Sequence, residues 1–126
     1  LADNQDNEGG VGYFMWSITD DRLIMDEMTS QYHGFTADVG SKGVTIDDIL
    51  ERICPEMRDK VAMAIMASLT EGVLFDQRYK VLLPDGSTRT IAARARPIFD
   101  EDNHPFLGLG AVYEVTPTSM KPLRCV

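Results

Sequence analysis

A chain of 126 residues is long enough for one domain with a buried core and too short for two. Hydrophobic residues at 44% and charged residues at 25% are the proportions of an ordinary globular protein, which sets aside fibrous and disordered classes. A net charge of −8 argues against the basic stripe that nucleic acid or an anionic membrane surface requires.

No apolar run approaches the roughly 18–20 residues of a membrane span, and the acidic start lacks the apolar stretch of a secretory leader. The absence of an initiator Met leads us to expect an excised or processed piece of a longer protein. Cys54 and Cys125 form no CxxC and no metal spacing, so a reducing, cytoplasmic setting is expected.

Residues 1–11 carry no periodicity and read as a flexible lead-in. From Gly12 to Thr19 the pattern alternates, with Phe14, Trp16 and Ile18 on one face of a strand. Asp20-Asp21 turns the chain into a second short strand, Arg22 to Met25, completing a hairpin. Asp26 to Phe35 reads as a short helix stopped at Gly34, and 36–44 as loop.

Thr45 caps a helix to Ile53, with Asp48 at the reciprocal capping position and Ile46, Ile49, Leu50 and Ile53 as its apolar stripe. Pro55 breaks that helix and suits the first turn of the next, which runs to Glu71 with Gly72 as its stop. Met57, Val61, Ala64, Ile65, Ser68 and Leu69 share the side expected to face a sheet. Met63, Met66 and Ala67 lie off it, either exposed or touching a partner.

Val73 to Thr116 then forms three strand runs, cut by Pro84-Asp85-Gly86 and by the acidic turn from Asp100 to Pro105. Phe75, Gln77, Tyr79, Val81 and Leu83 point to the covered face, opposite Asp76, Arg78 and Lys80. Ile91, Ala93 and Ala95 point inward, opposite Arg94 and Arg96, and Pro97 implies a bulge or an edge. Gly108, Gly110 and the alanines leave little side chain on the sheet. Either a cavity or close packing of helix on sheet explains that. The tail, 117–126, holds two prolines and no periodicity.

This order of features resembles a PAS domain with its PAC-type second half. The matching residues are Phe75, Arg78-Tyr79-Lys80, Asp85-Gly86, Arg94-Ala95-Arg96-Pro97, Asp100-Glu101-Asp102 and Gly110. Glu114-Val115-Thr116 stands where the family has D-I-T. Upstream, Gly12-x-Phe14-x-Trp16 resembles the family's first strand, and Pro55-Glu56-x-Arg58 its H-P-x-D-R helix start. The resemblance spans 12–116. It implies an α+β fold, a five-stranded antiparallel sheet with helices on one face. It also implies a sensory module of a larger signalling protein such as a histidine kinase, diguanylate cyclase or regulator, passing its signal to an output domain.

The cofactors of the family can be tested on residues. Flavin photoreceptors carry a Cys within N-C-R-F-L-Q, whereas Cys54 lies in Arg-Ile-Cys-Pro, so that chemistry is not supported. Haem members use a His on the long helix, and 56–71 has none; His33 and His104 read as ordinary turn or surface residues. No hydrolase elbow, phosphate loop, zincin or dinucleotide motif occurs, and no catalytic or metal residue is assigned. A ligand between sheet and helices would meet Gln77 as its polar contact, with Tyr79, Met66, Trp16 and Ala93 as walls. Glu114, Val115 and Thr116 are the expected signal exit, although Pro117 disfavours a continuous helix beyond them. Two other readings stay open: a ligand-free interaction or homodimerisation module, and an NTF2-like small-molecule enzyme.

Overall fold

The computed structural model describes residues 10–115. Its elements are β1 (Gly12–Ser17), β2 (Arg22–Met25), α1 (Glu27–Tyr32), α2 (Ala37–Lys42), α3 (Ile46–Arg52), α4 (Pro55–Glu71), β3 (Phe75–Leu82), β4 (Thr88–Phe99) and β5 (Pro105–Glu114). All pairings are antiparallel, in the spatial order β2-β1-β5-β4-β3. The C-terminal meander is thus completed by the N-terminal hairpin, which docks through β1 on β5, Trp16 opposite Gly108 and Phe14 opposite Gly110.

The strand faces follow the alternation of the sequence. Tyr79, Val81, Ile91, Ala93 and Val112 are buried beneath the helices together with Leu23, Met25, Ile49, Ile53 and Val61. On the open face Arg94 pairs with Asp76 of the neighbouring strand at 3.2 Å. Pro97 sits where β4 has run past the last β3 partner, Phe75 opposite Ala95, so its missing N–H costs no ladder bond on that side. A register shift follows at Ile98/Phe99.

Local chemistry fixes the helices. Thr45 Oγ1 accepts from Asp48 N, and Asp48 Oδ2 accepts in turn from Thr45 N, a full capping box. At the other end of α3, Arg58 donates to the carbonyls of Leu50, Ile53 and Glu51, closing orphan acceptors. Gly72 ends α4 in the left-handed conformation (φ 75°).

One expectation fails here. Residues 36–44 are not all loop: α2 is a helix capped by Thr36 and braced by Asp38 and Lys42 at 3.3 Å. Gly40 and Ser41 are weak helix formers, which hid it. Gly40 is needed because a Cβ there would collide with the Ser30 side chain of α1.

Candidate functional site

Between the helices and the inner face of the sheet lies a cavity of about 80 Å³. Its walls come from β1 (Phe14, Trp16), the helices (Ile49, Val61, Ile65, Leu69) and the second half of the sheet (Phe75, Tyr79, Ala93, Ala95). Gly108 belongs to this lining, and Trp16 lies across it in ordinary van der Waals contact with the position a Cβ would take. Gly110 does not: the Phe14 ring occupies that space. The small residues of the sheet therefore serve both purposes left open by the sequence, one glycine bordering the void and the other receiving an aromatic ring.

Of the residues expected at the site, Trp16, Tyr79 and Ala93 line the cavity. Met66 does not; it is 59% exposed, on the solvent side of α4, as its position off the apolar stripe dictates. Gln77 is also absent from the lining. It is half-buried opposite Ala93, between Phe75 and Tyr79, which both border the void from the same face of β3. Glu114 ends β5 and Val115 is buried, donating its N–H to the Thr90 carbonyl at 2.9 Å. Thr116 and the tail lie outside the described residues.

His33 is the polar residue that sequence reasoning missed. Expected in a turn or on the surface, it is 3% exposed and borders the cavity. Its Nδ1 lies 2.9 Å from the Thr29 carbonyl. A carbonyl only accepts, so Nδ1 carries the proton, and Nε2 accepts from the Tyr79 hydroxyl at 2.7 Å. Burial lowers the His33 pKa to about 4, against the Thr29 bond that raises it and with a small further push from Arg52. Burial likewise holds the Tyr79 phenol far above its usual range. Both groups are neutral at pH 7. The one available signal was helical: His33 follows Thr29 by four residues, so its ring reaches back along the turn.

In the turn of the hairpin, Asp21 joins β1 to α3. Its Oδ1 accepts from Trp16 Nε1 at 3.1 Å and from the first amide of α3, Ile46 N, at 3.0 Å. The residue holds a positive φ of 49°, a conformation Asp tolerates better than most.

Cys54 is fully buried and disulfide-bonded. The reduced thiols expected from the cysteine spacing are thereby corrected for this residue. Cys125 lies outside the described residues. In the acidic turn, Asp100, Asp102 and His104 are exposed with ligand atoms within 4.8 Å of one another. Asp100 Oδ1 is spent on the turn, accepting from Asp102 N and His104 N, both at 2.9 Å. No helix of the described residues is long and apolar enough to cross a membrane.

The family model described as the PAS fold matches residues 22–112. The chain belongs to the PAS fold family. No curated protein sequence matches it. Among solved structures it is similar to the N-terminal domain of a diguanylate cyclase with PAS/PAC sensor from Marinobacter aquaeolei, at TM-score 0.76 and 15% identity over 88% of this chain and 100% of that one. A sensory box histidine kinase/response regulator from Burkholderia thailandensis E264 follows at TM-score 0.74 and 21% identity, over 86% of this chain and 79% of that one. An RNA-binding light-oxygen-voltage receptor matches at TM-score 0.71 and 14% identity, over 92% of this chain and 32% of that one. At these identities the likeness is one of fold. The fold is the five-stranded antiparallel sheet with helices expected from the sequence.

Proposed function

We propose that the chain is a sensory module of a larger signalling protein, with 12–116 as its folded unit, and that it responds to a small molecule held between sheet and helices. The observation that carries this reading is the cavity bounded by Trp16, Tyr79 and Ala93 and lined by mostly apolar side chains. Its volume of about 80 Å³ is far below the roughly 300–1,000 Å³ of pockets for drug-sized ligands. The occupant is therefore small, and a flavin or haem would require the helices to move apart.

Helix α1 supplies the route outward. His33 borders the cavity, while the adjacent Tyr32 lies under the Arg89 guanidinium. Arg89 pairs with Glu114 at 3.4 Å, beside the Glu114-Val115-Thr116 exit. Native mass spectrometry of the freshly purified domain tests the reading. A bound small molecule lost on denaturation supports it. An empty domain whose melting temperature no small molecule raises counts against it.

A second reading is favoured by the outer face of the sheet, where Tyr13, Met15, Leu109 and Tyr113 are all exposed on the adjoining strands β1 and β5. Such a patch suits a second copy of the chain or another protein. The change Leu109→Lys would abolish concentration-dependent association in light scattering; a strict monomer at millimolar concentration would remove this reading.

A further inference from the structure

Four polar side chains are buried among the described residues: Thr29, Ser30, His33 and Ser68. Three have partners. Thr29 Oγ1 donates to the Tyr13 carbonyl, Ser30 Oγ to the Asp26 carbonyl, and His33 bonds through both ring nitrogens. Ser68 differs. It is 5% exposed, on the sheet-facing side of α4, and lines the cavity. Among the described residues, its hydroxyl has no hydrogen-bond partner. Thr70, on the exposed side of the same helix, bonds back to the Met66 carbonyl at 2.9 Å; Ser68 makes no comparable bond to its own helix.

A buried hydroxyl without a partner is rare and unfavourable, because it has left water and gained nothing in return. The void that Ser68 lines has room for such a partner. The rest of the lining defines that occupant. Ile65, Leu69, Phe75 and Trp16 offer only apolar surface to its body. The charged residue at the cavity, Arg96, is exposed and alternates toward the open face opposite Leu109, so no charge is enclosed. The volume is about half that of a 150 Å³ cavity known to hold benzene, which leaves room for about three to four heavy atoms.

We infer that the cavity takes an uncharged organic molecule of about four heavy atoms carrying one hydroxyl or carbonyl oxygen, and that Ser68 Oγ is the group that binds this oxygen. The inference rests on the reading of the cavity as a ligand site and adds the chemistry it selects. A serine hydroxyl both donates and accepts, so an alcohol and a ketone satisfy it equally.

The test is a titration of the isotope-labelled domain, followed by NMR, with four probes: acetone, propan-2-ol, acetate as the charged counterpart of acetone, and xenon as a purely apolar probe. Acetone, propan-2-ol and xenon should shift the resonances of Ile65, Leu69 and Ala93, and acetate should not. The change Ser68→Ala should weaken acetone and propan-2-ol about tenfold, the worth of one hydrogen bond, and leave xenon unaffected. Equal acetone affinity in both proteins, or acetate binding as well as acetone, would overturn the role of Ser68 while the cavity reading stood on its xenon response. Failure of xenon as well would remove the cavity reading itself. The melting temperature of unliganded Ser68→Ala should be unchanged or higher. A drop of about 4 °C or more would mean that a resident water already satisfies the hydroxyl, and would likewise overturn the inference.

Discussion

Tyr79 of β3 donates its hydroxyl hydrogen to Nε2 of His33, just beyond α1, at 2.7 Å, and this bond ties the helical layer to the sheet beside the cavity. The change Tyr79→Phe keeps the ring and removes the donor, leaving a buried ring nitrogen unpaired. A loss of about 1–3 kcal/mol in urea unfolding is expected. The double change Tyr79→Phe with His33→Leu should cost less than the sum of the two single changes, since it removes both ends of one bond. Strict additivity would show that the pair does not interact.

The neutral His33 makes stability depend on pH in a defined window. Its folded pKa, about 4, lies below the ordinary 6.5, so between these values the unfolded chain binds the extra proton. Stability from this group is complete above pH 6.5, falls as the pH drops, and levels off below about 4, a total of roughly 3 kcal/mol. Asp26 acts lower on the scale. Burial pushes its pKa up, but bonds from the Thr29 and Tyr13 amides outweigh this and hold it below 3.8. Its stabilisation is therefore lost only as the pH falls below that value, and the two windows separate. Urea midpoints at pH 7 and pH 4.5 should differ clearly in the natural chain and much less in His33→Gln.

Asp21 gives a prediction read by fluorescence. Removing its carboxylate in Asp21→Ala releases both the indole of Trp16 and the first amide of α3, at an expected cost of about 1–2 kcal/mol. Asp21→Asn retains an acceptor oxygen and should recover most of the loss. Trp16 is the only tryptophan, so its emission reports the change directly. Identical emission and stability in Asp21→Ala would refute the bridging role.

The two glycines of β5 should respond unequally to the same substitution. A Cβ at Gly110 would collide with the Phe14 ring and with the Arg94 carbonyl, a backbone atom that cannot swing aside. Gly110→Ala should cost about 2 kcal/mol or more. At Gly108 the nearest atoms belong to Trp16 at 3.7 Å, an ordinary contact. Gly108→Ala should change stability by less than about 1 kcal/mol and shrink the cavity, which reduced xenon uptake would show.

The fold was legible because period-2 alternation and two punctuating turns define β3 to β5, and because caps and apolar stripes define α3 and α4. The site was only half legible. Tyr79, Trp16 and Ala93 followed from strand parity, which says which face a side chain takes. Parity does not say which side chains of that face border the void: Phe75 and Tyr79 do, and Gln77 between them does not. Met66 had already been placed off the apolar stripe, and helical geometry outweighed its hydrophobicity. His33 could not be read as buried, because its burial depends on Tyr79, 46 residues away. Ser68 was assigned to the sheet-facing side of α4, but lack of a partner is a property of three-dimensional surroundings and leaves no trace in the local pattern.

Tyr32 links the two ends of the described chain. Its hydroxyl donates to the Gly10 carbonyl at 2.7 Å, and Arg89, stacked over its ring, reaches Glu114. The first and last described stretches of chain thus converge on one aromatic side chain, and Gly12 pairs directly with Val112 beside them. Gly10 and Glu114 are therefore held at one corner of the domain, and a displacement of α1 would act on both through Tyr32.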